Sequence, residues 1–231
     1  SSRGSRCHLS PSRYLVGEAM KNDWPAKLAQ GTAYLKSADP TLARIITAHP
    51  LPSFRPHTNY YHELVESIVS QQLSIKAADT IFKRFLDLFG GSFPAPEAIL
   101  AQDIERYRSV GLSRQKAAYI RDLAEKIITK KVQFSHLDAL SNNEIIAELT
   151  QVKGIGVWTV HMFLIFCMGR LDVLPTGDLG IQNGIQRLYN LPERPSPVYI
   201  EELAITQKWH PYASIAAWYI WRSLNNTPNV G

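Results

Sequence analysis

Cysteine is nearly missing from this chain. Only Cys7 and Cys167 occur among 231 residues, so neither a disulfide framework nor a four-thiolate metal or iron–sulfur site can be assembled, and a reducing compartment is expected. Long apolar runs are missing too. The longest, Val160 to Met168, is broken by His161 and falls far short of the ~20 residues a membrane-crossing helix needs. No membrane partner is therefore expected. The opening SSRGSRCHLS lacks an apolar centre, which argues against a secretory leader, and residues 1–20 read as a flexible N-terminal arm. Period-two runs of β-branched residues are scarce, which argues against a sizeable sheet. The seven histidines show no ligand spacing, so a zinc or haem site is not expected.

What remains reads as helix. Apolar residues make up 45% of the chain and charged ones 19%, ordinary values for a globular protein able to bury a substantial core. The net charge of +5 fits a polyanionic partner, and equally a merely soluble surface. Tyr61, Leu64, Val65 and Ile68 recur at i, i+3, i+4 and i+7, as do Ile81, Phe82, Phe85, Leu88 and Phe89, and Ile120, Leu123, Ala124 and Ile127; each set is one apolar helix face. Asp39-Pro40 and Ser196-Pro197 set a capping residue before a first-turn proline, and Ser141 with Glu144 matches a capping box. The expectation is an all-α protein of about ten helices joined by short Pro- and Gly-marked turns such as FGGSFPAP.

One turn stands out. Between the capped helix Ser141 to Thr150 and an apolar helix from Val157 to Met168 lies only QVKGIG. Gly154 and Gly156 free the backbone and leave no side chain in a ligand's way. The second helix then begins with unpaired N–H groups and a positive dipole end, which suits a phosphate, with Lys153 adding charge. A plain bend between packed helices is the competing reading. Further on, PTGDLGIQNGI sets Asp178 after a Pro-x-Gly turn at a helix start, either as a carboxylate held ready for chemistry or as an N-cap.

The string LTQVKGIGVWT resembles the helix–hairpin–helix element, which grips DNA backbone without reading sequence. Together with LVESIVSQQLSIKAA (64–78), VGLSRQKAAYIRDLA (110–124), the Pro-x-Gly-Asp turn and WHPYASIAAWYIW (209–221), it resembles the helix–hairpin–helix (HhH-GPD) DNA glycosylase superfamily. The branch is that of 3-methyladenine DNA glycosylase II, in its short form without an N-terminal β domain, and the match runs over residues 30–225. The resemblance implies a glycosylase domain over residues 21–231, with two helical subdomains flanking a cleft. The second would hold the hairpin and the catalytic aspartate, at about 60–178.

By resemblance, each part of the reaction has a residue. Flipping a damaged base out of the duplex costs a few kcal/mol, and the gap is filled by a wedge, for which Gln71, Gln72 and Leu73 are candidates. Gln72 is polar where the bacterial archetype is apolar, and Leu73 could instead pack in the core. Trp158 and Trp221 would wall or stack on the base, a tryptophan face attracting a cationic purine by roughly 0.5 to 2 kcal/mol. Trp218 and Tyr219 read as core. Met162 stands where the archetype has a pocket tyrosine, so lesion range is not carried over. Asp178 would stabilise the oxocarbenium-like sugar and orient the attacking water.

Lys153, Gly154, Gly156, Val157 and Thr159 would hold phosphate, as would Ser113 and Lys116 unless these only form a solvated basic face. The hairpin carbonyls of Thr150, Val152 and Ile155 would hold a structural Na+ or K+, and no other cofactor is expected. Bifunctional relatives carry a Schiff-base lysine two residues after the second hairpin glycine, where this chain has Trp158. A monofunctional glycosylase acting on alkylated bases in double-stranded DNA is therefore expected. It would act as a monomer, in the bacterial cytoplasm at the nucleoid or in a eukaryotic nucleus. The alternatives are a non-catalytic helix–hairpin–helix module that recognises damage, with Asp178 a simple cap, and a bifunctional glycosylase–lyase.

Overall fold

The computed structural model describes residues 23–224, so the arm expected at 1–20, with Cys7, lies outside the described residues. Twelve α-helices and no strand occur among the described residues: α1 (Trp24–Ala38), α2 (Pro40–Ala48), α3 (Tyr60–Ser70), α4 (Ile75–Asp87), α5 (Pro96–Ala101), α6 (Ile104–Ser109), α7 (Arg114–Ile128), α8 (Asn142–Leu149), α9 (Val157–Met162), α10 (Leu179–Leu188), α11 (Pro197–Thr206) and α12 (Ala213–Ser223). The all-α expectation holds. The surplus over about ten comes from pieces such as α5 and α6, six residues each, too short for periodicity to register.

The caps follow the sequence closely. Asp39 accepts from the amides of Thr41 and Leu42, Ser196 from that of Tyr199, and Ser141 with Glu144 closes both halves of its box. Each satisfies amides that a helix start leaves unpaired. The apolar helix after the hairpin is not one regular α-helix. α9 passes at Phe163 into a π-helical turn, Phe163–Cys167, closed by the Met168 amide on the Phe163 carbonyl at 3.0 Å. Such widened turns shift the following side chains around the axis and concentrate at functional sites.

Two groups of helices share one continuous apolar core. In the first, α1 and α2 from the start of the chain pack with α12, and α12 also packs on α10. In the second, α3 packs on α4 and α7, α5 and α6 lie on α7, and α8 packs on α9. Asp178 begins α10, so it belongs by packing to the terminal group and not, as expected, within the 60–178 group that carries the hairpin. It stands at the junction.

Candidate active site

A cleft of about 680 Å³ opens on the second group. Gln71, Gln72, Leu73, Ser113, Lys116, Gly154, Trp158, Thr159 and Met162 all line it, alongside Glu63, Ser67, Ser70, Tyr119 and Phe163. Residues from α3, the α3–α4 loop, α7, the hairpin and α9, up to 100 positions apart (Glu63 to Phe163), thus meet at one opening. Asp178 and Trp221 are not among its lining residues. Asp178 reaches the cleft through Trp158.

The Asp178 carboxyl accepts three N–H bonds. Oδ1 takes the Ile181 amide at 2.8 Å and the Trp221 Nε1–H at 2.8 Å; Oδ2 takes the Trp158 Nε1–H at 2.6 Å. The aspartate is therefore an N-cap and more than an N-cap, since two indoles have no part in capping. The donors differ in one respect. Trp221 is 2% exposed and stacked on Phe166, whereas Trp158 is 45% exposed. Trp221 therefore does not wall the cleft as expected. It lies beneath the carboxyl, as buried as its neighbours Trp218 and Tyr219, and fixes the inner oxygen. Gly180 makes this possible: a Cβ there would lie 3.0 Å from both Asp178 Oδ1 and Trp221 Cδ1. Its signal was the Asp-x-Gly spacing, visible only once Trp221 is known to pack there.

The hairpin glycines divide the work. Gly154 has φ +82, and a Cβ on it would sit 2.0 Å from the Tyr119 ring, so both conformation and space demand glycine. Gly156 caps α9 in ordinary extended backbone, φ −94 and ψ 174, and does not need glycine's freedom. Open space surrounds its missing Cβ, which leaves room for a ligand. No side chain caps α9, so its first amides stay available, with exposed Val157 beside them. The Lys153 amide is already taken by Asp122 Oδ2 at 2.8 Å. Burial opposes ionisation of Asp122, but Lys126 and this amide outweigh it and hold the carboxyl below its usual range.

The wedge candidates separate as well. Gln71 donates its side-chain amide to the Gly154 carbonyl at 2.8 Å, so it joins the α3–α4 loop to the hairpin and is not free to enter a base stack. Leu73 is half-buried and also lines a small second cavity with Val69 and Phe82. Gln72 is exposed at the tip and held at φ 59, left-handed backbone that a non-glycine residue adopts only under constraint. Ser113 caps α7 through the Lys116 amide. The Lys116 ammonium is bound to the Val69 carbonyl at 2.6 Å, and burial lowers its pKa. Lys116 thus closes the end of α3 and is no freely exposed phosphate ligand.

One cluster was illegible in the sequence. His57, Glu63 and Cys167 bring ligand-type atoms within 4.8 Å of one another, with His57 Nε2 3.2 Å from Glu63 Oε2. Burial keeps the Cys167 thiol far above its usual range, which makes it a poor metal ligand.

Residues 65–210 match the HhH-GPD superfamily of base excision DNA repair proteins. The chain belongs to that superfamily. Among HhH-GPD relatives, DNA-3-methyladenine glycosylase 1 of Schizosaccharomyces pombe is 36% identical over 210 residues, covering 88% of this chain and 90% of its own. A solved structure of the S. pombe 3-methyladenine DNA glycosylase in complex with abasic DNA superposes with TM-score 0.69 at 35% identity, over 85% of this chain and 97% of that one. The DNA-3-methyladenine glycosidase of Bacillus halodurans does so with TM-score 0.74 at 35% identity, over 82% and 86%. Among the described residues, no helix is long and apolar enough to cross a membrane.

Proposed function

We propose that this HhH-GPD protein is a monofunctional DNA glycosylase. It hydrolyses the N-glycosidic bond of alkylated bases, 3-methyladenine and 7-methylguanine among them, after flipping them from double-stranded DNA during base excision repair. It works as a monomer where DNA is kept, at the nucleoid or in the nucleus. The observation that carries this reading is the unequal hold on Asp178. Oδ1 is tied to the protein interior by Trp221 and the Ile181 amide, while Oδ2 is held only by the half-exposed, cleft-lining Trp158.

A base entering the cleft meets the Trp158 face. Sliding that indole against the base frees Oδ2 to face the sugar, where positive charge develops as the bond breaks. The carboxylate stabilises that charge and directs water to the far face. A cationic base leaves without protonation, so one carboxylate suffices. Trp158 also holds the place at which a Schiff-base lysine would sit, which supports hydrolysis without strand cleavage. Gln72 fills the gap left by the base, and the free α9 amides with Gly156 clasp a phosphate, Lys153 lending charge.

A Na+ or K+ suits the hairpin carbonyls of Thr150, Val152 and Ile155. Thr150 ends α8, and Val152 accepts one bond, from the Ile155 amide at 3.1 Å, keeping its second lone pair. Such an ion would supply a positive bridge to the strand.

The test is base release from methylated DNA. Asp178→Asn keeps the cap, because asparagine caps as well as aspartate, yet removes the charge. Release of 3-methyladenine is expected to fall by about 100-fold or more, with lesion-duplex binding retained and no borohydride-trapped adduct. Unchanged release would leave a damage-recognition module instead. Binding should also weaken steadily as salt rises, since phosphate contacts release counterions.

A further inference from the structure

The cleft holds a second carboxyl that the chemistry above leaves idle. Glu63, Ser67 and Ser70 recur at i, i+4 and i+7 along α3, one face of the helix, and all three line the cleft. Glu63 sits seven residues behind Ser70, about 10 Å along the axis, away from the wedge tip. Its side chain is only 15% exposed, and its one ion-pair partner among the described residues is the His57 imidazole, 3.2 Å away. The other charged group lining the cleft, Lys116, spends its ammonium on the Val69 carbonyl. Glu63 is thus a desolvated carboxylate facing a cavity in which a cation would be welcome.

Resting on the glycosylase reading, we propose that Glu63 reads the charge of the extruded base. Its carboxylate is the negative partner of an alkylated purine cation in the cleft and favours such bases over neutral ones of the same size. Burial disfavours the charged form of Glu63 more than His57 and the neighbouring His62 restore it, while Glu66 adds repulsion, so its pKa is raised. A cationic base supplies the missing counter-charge, an interaction that a low-dielectric site strengthens.

Glu63→Gln is the decisive variant, because it keeps size and removes charge. Single-turnover release of 7-methylguanine, a cation, should fall at least about tenfold, while release of hypoxanthine, a neutral base, and affinity for an abasic-site duplex stay unchanged. A raised folded pKa makes the ionised carboxylate a burden on the fold above its unfolded pKa, so the variant's Tm should be equal or higher. Glu63→Asp, with the charge withdrawn by one methylene, should fall between. Equal losses on both bases, or a parallel loss of abasic-site affinity, would overturn the proposal.

Binding of a 2′-fluoro-stabilised 7-methylguanine duplex against its unmethylated twin tests the same point without turnover. Wild-type preference for the methylated duplex should fall at least about tenfold in Glu63→Gln, the Trp158 face keeping the remainder; an undiminished preference would overturn the proposal. If wild type shows that Glu63-dependent preference but releases no base, the glycosylase reading fails and the charge reading stands. If wild type releases base and Glu63→Gln does so equally well, only the charge reading fails.

Discussion

Asp39 and Asp178 are the same device used twice. Each opens a helix, each accepts main-chain amides of the first turn, and each takes an indole N–H: Trp209 for Asp39 at 2.8 Å, Trp221 for Asp178 at 2.8 Å. They part at the remaining donor. Asp39 receives the Tyr189 hydroxyl and is 0% exposed, and burial followed by that bond drives the tyrosine's pKa far up. Asp178 receives Trp158, nearly half of which faces solvent. One carboxyl is sealed on every side and can only hold structure. The other has one exposed side, where the proposed chemistry would enter. What separates a cap from a candidate catalyst is the exposure of one partner.

The largest way to break this comparison is to truncate both acids. Asp39→Ala leaves buried Trp209 and Tyr189 donors unsatisfied along with the α2 amides, and should cost about 3 kcal/mol or more, a Tm loss of about 6 °C or more by calorimetry. Asp178→Ala, which orphans one buried indole donor, Trp221, along with the cap, should lower stability by about 2 kcal/mol while removing base release. Next, the tryptophans can be exchanged for phenylalanine. Trp209→Phe strips a buried bond and a large part of the packing, expected to cost about 2 kcal/mol in denaturant titrations.

Trp158→Phe should leave the denaturation midpoint unchanged yet slow release of a cationic base about tenfold, because the weaker ring face binds cations less well. Gly180→Ala sharpens the contrast further, pressing a methyl against Asp178 and Trp221; release should fall several-fold with a stability loss of about 1 kcal/mol. The smallest expected effect is at Gln72. Gln72→Gly relaxes its left-handed backbone and should raise stability by about 1 kcal/mol, while slowing release for want of a wedge.

Local signals were legible because their causes are local. Ser141 and Glu144, or Asp39 and Pro40, lie within one helical turn of what they satisfy, so spacing alone announces them. The hairpin and the Pro-x-Gly-Asp turn announced themselves in the same way, and the cleft drew most of their neighbours together. What stayed hidden depends on elements meeting in space. Trp158 and Trp221 look alike in sequence, yet one is surface and the other floor, because α12 is buried on all sides. Lys116 reads as a surface cation until the end of α3 claims it. Glu63 sits in an unremarkable helix whose polar face happens to line a cavity, and its neighbour Cys167 comes from 104 positions away. Gly156 shows the converse: the motif was legible, but the reason for glycine there is room, not conformation.

The amide of Gln71 on the carbonyl of Gly154 ties the probing loop to the part that would stand on the strand. Foot and finger then move as one tool, so each footing on the backbone presses on the adjacent stack to the same depth. A protein built this way has no need to know in advance which nucleotide is damaged. In the proposed reaction it would apply one uniform push along the helix, and the base pair already weakened by its lesion would be the one to yield.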